Sequence, residues 1–277
     1  MNAWRHRPEV FLVLLMFVLG IADARASEQD PTSIRYLVVD GKTRPFQIVE
    51  DNKSKGGIIS DIVDAVFEGS PFTVRHQVLP VNRIRLSVSE GQINHWITFD
   101  SPVWDSFGEK GEPVGDALFD THHVLMTCKE SIRSDVQSID DLAGLSIVTI
   151  RHFNYLSLNE AADSGIIWSV PVDRYDAGLE LVRLGRTDGF IEMASRLRYH
   201  LNELDGNRSC FREIDVSAII PDYPVYLYLD RRWSAEFKRF VAARLHALSR
   251  SGKLQDIVSR YVPELVPKEL SVKSGGQ

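Results

Sequence analysis

Residues 145–192 read LSIVTIRHFNYLSLNEAADSGIIWSVPVDRYDAGLELVRLGRTDGFIE. The run 145–150 is apolar and β-branched, and 154–162 forms a helix. Residues 166–172 are extended, 177–184 form a second helix closed by Gly185, and 189–192 form a further strand. Strands that alternate with helices argue for a mostly parallel sheet. Working outward, 122–128 (HHVLMTC) is a strong strand before this unit, and Ser138 caps a short helix through Leu142. A helix from about 194 to 204 follows the unit.

The same grammar occurs once upstream. Residues 34–39 are a strand, and Gly56-Gly57 opens a helix with Ile58, Ile59, Ile62, Val63 and Val66 on one face. Residues 72–79 are a strand, 82–90 a helix stopped by Gly91, and 93–99 (INHWITF) a short buried strand. Residues 105–116, rich in Gly, Glu and Pro, read as irregular. A tail follows the second unit: a strand at 223–229, a helix capped by Ser234, and a last helix at 254–261 after Gly252. Two β-α-β-α-β units with an orphan strand-helix-helix tail predict an α/β chain of two lobes. The tail completes the first unit, so two crossing strands make a hinge and the cleft between the lobes is the binding place.

The first residues bear on what counts as the mature protein. Arg5 and Arg7 precede an apolar run at 10–22 (VFLVLLMFVLGIA), and Ala24-Arg25-Ala26 follows. That order predicts a secretory signal peptide cut after Ala26, and hence a periplasmic protein. The rival is a retained anchor, but a spanning helix needs about 20 apolar residues. The expected organisation is a signal peptide at 1–26, lobe 1 at 27–121 and 219–267, lobe 2 at 122–218, and a flexible tail at 268–277.

The whole chain carries a net charge of −6. Arg5, Arg7 and Arg25 against Glu9 and Asp23 contribute +1 of this, so the mature form stands at −7. An acidic chain with no basic block has no electrostatic footprint for nucleic acid. The two cysteines, Cys128 and Cys210, read as one disulfide in an oxidising compartment, the alternative being two buried thiols. No His or Cys stands at ligand spacing around either, so no metal is expected, and no cofactor motif occurs.

Several stretches, in this order, resemble the type 2 periplasmic substrate-binding proteins, specifically the family 3 extracellular solute-binding group of polar amino-acid importers. They are Pro45-Phe46; Gly57-Ile58 with Asp61-Ile62; Arg83 with Gly91; and Asp141-Leu142-Ala143-Gly144 before Ile147-Val148. Further on come Leu184-Gly185-Arg186 with Asp188-Gly189; Tyr223 and Tyr226; and Gly252, Ile257 and Tyr261. Most are scaffold residues: Gly57 lets the chain turn into its helix, and Asp61 is expected to bond backbone near that turn.

The resemblance implies ligand contacts at strand ends facing the cleft. In lobe 1 these are Asp40 and Phe46 after the first strand, Arg83 at a helix start, and Asp100 and Ser101 after 93–99. In lobe 2 they are Arg151, His152, Asn154 and Tyr155 at a helix N-terminus, where free N–H groups favour an anion, and Glu192 after the last strand of the unit. The family has Gly where His152 stands and an aromatic where Tyr155 stands. Family members that bind amino acids carry an Arg after the third strand that clamps the α-carboxylate; residues 98–113 contain no Arg. The family acid that holds the ligand amine falls within one residue of Glu192, with Met193 as the other occupant of that position.

The resemblance therefore implies a solute-binding protein that closes on a small polar organic ligand, not a standard α-amino acid, and presents it as a monomer to the membrane permease of an ABC-type importer. The rivals are a periplasmic lyase on the same scaffold, of the cyclohexadienyl dehydratase kind, with His152, Glu192 and Asp100 as acid and base, and a free-standing sensor for a membrane receptor. No nucleophile elbow, zinc-protease helix, P-loop or dinucleotide fingerprint occurs in the chain, and no catalysis is expected.

Overall fold

A computed structural model of the chain describes residues 32–262, apart from residues 152 and 154 and the side chain of Leu156. The expected signal peptide, the tail at 268–277, His152 and Asn154 lie outside the described residues.

The elements of the first lobe are β1 (Ser33–Asp40), β2 (Val49–Glu50), β3 (Lys53–Ser54), α1 (Ile58–Phe67), β4 (Thr73–Pro80), α2 (Val81–Ser89), β5 (Trp96–Asp100) and β6 (Gly111–Asp120). The second lobe holds β7 (His123–Thr127), β8 (Ser146–Ile150), α3 (Leu156–Asp163), β9 (Trp168–Val172), α4 (Tyr175–Arg183), β10 (Gly189–Met193), α5 (Ala194–Glu203) and β11 (Arg212–Asp215). The chain then returns as β12 (Pro224–Asp230), α6 (Ala235–Arg250) and α7 (Lys253–Tyr261).

One sheet has the order β4-β1-β5-β12-β6 and the other β11-β7-β10-β8-β9. β12 runs against both its neighbours, β5 and β6, and β7 against both its own, β10 and β11. Each sheet therefore has four strands pointing one way around a single reversed one. In each case the reversed strand is the one that enters from the other lobe.

Strand alternation divides each lobe core into two faces. In the first sheet Ile34, Tyr36 and Val38 pack under α1, α6 and α7, while Leu37 packs with Trp96 and Ile84 of α2 on the opposite face. In the second, Leu125, Ile147 and Ile191 face α3, while Val124, Met126, Val148 and Phe190 face α4 and α5. Cys128 and Cys210 form the expected disulfide, joining the end of β7 to the segment before β11 across a separation of 82 residues.

Residues 105–116 are not irregular throughout. From Gly111 onward they form β6, which pairs with β12 from Gly111 opposite Asp230 to Asp120 opposite Pro224. The apolar residues of this strand, Val114, Ala117, Leu118 and Phe119, follow no strict alternation, and it sits at a sheet edge, where a proline such as Pro113 is tolerated.

The two crossings between sheets lie side by side. The N–H of Thr121 donates to the carbonyl of Tyr223 at 2.8 Å, and the N–H of Tyr223 donates to the Thr121 hydroxyl at 3.2 Å. The ring of His122 lies 3.2 Å from the carboxylate of Asp222. Two adjacent extended segments with few cross-ties are the physical form of a hinge.

Candidate functional site

Phe46 is positioned by the start of α1. The first free N–H groups of that helix, on Ile58 and Ile59, donate to the carbonyls of Pro45 and Phe46 at 3.0 and 2.9 Å. Gly57 makes this fit possible: its φ is +108°, and a Cβ there would stand 2.6 Å from the Phe46 carbonyl oxygen. The expected backbone bond from Asp61 is replaced by a longer-range one. Its carboxylate accepts from the Tyr261 hydroxyl at 2.9 Å, and that hydroxyl accepts from the Gly57 N–H. The Phe46 ring, 2 % exposed, stacks on Phe119 at 5.1 Å and leans on Phe99 at 6.1 Å.

Opposite it, on lobe 2, stands Arg196, only 5 % exposed. Its guanidinium carbon lies 5.2 Å from the centre of the Phe46 ring and 5.0 Å from the centre of the Phe153 ring. The cation is therefore in contact with one aromatic ring from each lobe. Arg196 is on the first turn of α5 and Glu192 four residues before it, near the end of β10. Their nearest N and O atoms are 3.5 Å apart.

Glu192 follows Phe190 by two residues and so turns to the α4–α5 face of the sheet. One of its oxygens accepts from the Tyr155 hydroxyl at 2.5 Å and from the Tyr175 hydroxyl at 3.4 Å; the other accepts from the Met193 N–H at 2.9 Å. Arg196 Nη1 also donates to the Tyr175 hydroxyl at 3.4 Å, and its Nε meets no partner among the described residues.

The electrostatics concentrate positive charge on that one group. Burial works against the Arg196 cation, but Tyr175, Glu192 and Tyr155 more than offset it and hold its pKa above the ordinary arginine value. Burial and the Glu192 charge raise the Tyr155 hydroxyl; burial likewise raises that of Tyr175, against the pull of Arg196. The two nearby histidines are kept neutral. Burial, helped by Arg196 and Arg44, lowers His200 to about 4, and burial lowers His123. His200 stacks flat on Tyr175 at 4.2 Å.

Of the other expected contacts, Asp100 and Ser101 are buried in lobe 1. Asp100 accepts from the Ser106 N–H and hydroxyl at 2.9 and 3.0 Å, and burial raises its carboxyl to about 6. Ser101 turns its hydroxyl back to the Val103 N–H at 3.3 Å. Asp40 is exposed at the end of β1, and Arg83 is exposed on α2. Arg151 is exposed too, tied to Asp173 at 3.1 Å and to the carbonyl of Pro171. The structure thus brings together Phe46, Tyr155 and Glu192, while the printed contacts of Asp100, Ser101 and Arg151 run elsewhere. Of the two candidates for the amine-holding position, Glu192 points into lobe 2, and Met193 packs in the apolar cluster of lobe 1.

Arg196, Phe153 and Tyr175 were missed from sequence. The available signal was the spacing of Glu192 and Arg196, four apart at a strand-to-helix junction, which is ion-pair spacing on a helix.

The lobes also touch at the surface. Lys42 Nζ meets the Asp173 carboxylate at 3.4 Å and the Arg151 carbonyl at 3.3 Å. Arg44 reaches the Tyr199 hydroxyl at 3.4 Å and Glu203 at 4.0 Å. A groove of about 1000 Å³ opens there between the lobes, with Lys42 and Arg44 on one side and Asp173, Tyr175, Glu180 and His200 on the other. Most of its charges are engaged with one another, as in Arg183–Glu180 and Arg174–Asp176, and the exposed Asp205 also lines it.

No family model matches the sequence, and no curated protein matches it. Solved structures do match. One is the probable amino-acid ABC transporter extracellular-binding protein ytmK from Bacillus subtilis, at a TM-score of 0.64 and 12 % identity over 84 % of this chain and 98 % of that one. Substrate binding domain 2 of Lactococcus lactis GlnP, in an open conformation, matches at 0.61 and 15 % over 84 % and 97 %. The L-cystine solute receptor of Neisseria gonorrhoeae, unliganded and open, matches at 0.60 and 16 % over 87 % and 96 %. At these identities the likeness is one of fold: the chain has the two-lobed architecture of these binding proteins along nearly their whole length.

Proposed function

We propose that this chain is a solute-binding protein of the periplasm. It takes a small polar organic ligand between its lobes by hinge closure and hands it to the membrane permease of an ABC-type importer. The observation that carries this reading is the convergence of both lobes on one buried group: Phe46 from the first and Phe153, Tyr175 and Glu192 from the second, around Arg196. A cleft whose walls come from two bodies is sensitive to their separation, and a ligand that touches both shifts the balance toward closure. The solved structures of like fold support the role, since each is named as a substrate-binding or solute-receptor protein.

The ligand is not a standard α-amino acid. The segment 98–113, where relatives of the resembled family carry the carboxylate-clamping arginine, has none. The acid nearest the amine site, Glu192, is committed to Tyr155, Tyr175 and Arg196. The same commitment argues against a lyase, because a general acid or base must be free to exchange its proton with substrate. Among the described residues no helix is long and apolar enough to cross a membrane.

The test is a thermal-shift screen of residues 27–277 against amino acids, amines, organic acids and cyclic acids. A ligand at about 100 times its Kd adds about 2.7 kcal/mol, an upward shift of a few degrees. The expected result is a hit among the non-amino-acid solutes that mass spectrometry recovers unchanged. A hit consumed to a new product would overturn the binding role in favour of an enzyme. A hit confined to α-amino acids would overturn the ligand class.

A further inference from the structure

Arg196 is held as a protein holds a foreign guanidinium group. Its planar cation is in contact with two aromatic rings at 5.2 and 5.0 Å, and a phenol hydroxyl and a carboxylate stand 3.4 and 3.5 Å from its edge. Aromatic rings combined with hydrogen-bond acceptors suit guanidinium better than a primary ammonium, which is compact, strongly hydrated and carries no flat face. The rings come from different lobes, so the cation also couples them. Packing alone does not account for a buried arginine, since a charge in the interior costs more than an apolar side chain of the same volume.

We propose that Phe46, Phe153, Tyr175 and Glu192 form a guanidinium cage whose occupant is the chain's own Arg196. The arginine acts as a tethered ligand that bridges the two lobes. The inference deepens the proposed function, because it assigns an internal occupant to the cleft where that reading seats the solute. Tethering gives the side chain a high effective concentration at the cage, so a free guanidinium compound at millimolar level does not displace it. Without Arg196 the cage opens to small guanidinium compounds and the lobes lose their bridge.

The experiment compares the parent with Arg196→Ala by small-angle scattering and thermal melting, with N-ethylguanidinium or ethylammonium added at equal ionic strength. The variant is expected to have a larger radius of gyration than the parent. N-ethylguanidinium should then reduce that radius and raise the melting temperature saturably by about 2 to 4 °C. Ethylammonium should do neither, and the parent should respond to neither.

An unchanged radius with no saturable response overturns the proposal, as does an equal response to ethylammonium or an equal response in the parent. If Arg196→Ala fails to melt cooperatively, Phe153→Ala serves instead, since it removes one ring at a partly buried position and keeps the arginine. It should expand the molecule without guanidinium rescue, and an unexpanded Phe153→Ala sinks the idea. The two readings fail separately. A parent that binds a screened solute while both variants stay compact loses only the cage. A rescued Arg196→Ala beside a parent with no solute loses only the transport role.

Discussion

Asp100 and His200 are buried titratable groups whose shifts oppose one another. Burial raises Asp100 to about 6, so between its unfolded value near 4 and that pH the folded state binds the extra proton, and stability rises as pH falls. Burial lowers His200 to about 4, so from about 6.5 down to 4 the unfolded state binds the extra proton, and stability falls as pH falls. Each spans roughly 2 units, which bounds each effect at about 3 kcal/mol. The two trends cancel over much of the same window in the parent. Asp100→Asn removes one of them, and its urea midpoint should fall more steeply than the parent's from pH 6.5 to 4. A parallel pair of curves would show that Asp100 does not titrate across that range. At this scale the sequence was a partial guide. Phe46, Tyr155 and Glu192 were expected from the family resemblance, and the structure gathers them around Arg196. Arg196 left only its spacing from Glu192 as a signal, because its contact with Phe46 joins residues 150 apart that folding alone brings together.

The elements were more legible than the side chains. Ser234 caps α6 by accepting from the Phe237 N–H at 3.1 Å, and Ser138 with Asp141 makes the capping box of the short helix before β8; both are local chemistry written in consecutive residues. β6 and β11 escaped because their regularity is lent by neighbours. β6 pairs only with β12, which arrives about a hundred residues later, and its own pattern of Gly, Glu and Pro has no strong period. The disulfide belongs to this scale as well. It ties β7 to the entrance of β11, and both are strands of the same sheet. Closing a loop of 82 residues restricts the unfolded chain by about 4 to 5 kcal/mol in the chain-entropy account. Replacing Cys128 and Cys210 together by serine should lower the unfolding free energy by that order in urea titrations. A loss below about 1 kcal/mol would mean the unfolded chain is already restrained there.

For the whole molecule, the contacts between lobes differ in kind. Lys42 with Asp173 and Arg44 with Glu203 are exposed pairs, where solvent screens the attraction and ordering two long side chains opposes it. Phe46 on Arg196 is buried and dry by comparison. The double variant Lys42→Ala with Arg44→Ala should therefore scatter like the parent at physiological salt. An expansion as large as that of Arg196→Ala would transfer the closing role to the surface pairs. The paired crossings at Thr121 and Tyr223 carry a consequence for how the chain is made. Everything β7 to β11 needs is encoded between them, so the second lobe can fold as soon as it has been synthesised. The first lobe cannot, because β5 and β6 wait on opposite sides of an unfilled place in their sheet until β12 emerges. The nascent protein thus carries a finished lobe behind an unfinished one, with the open edge of β5 exposed for about a hundred residues of elongation.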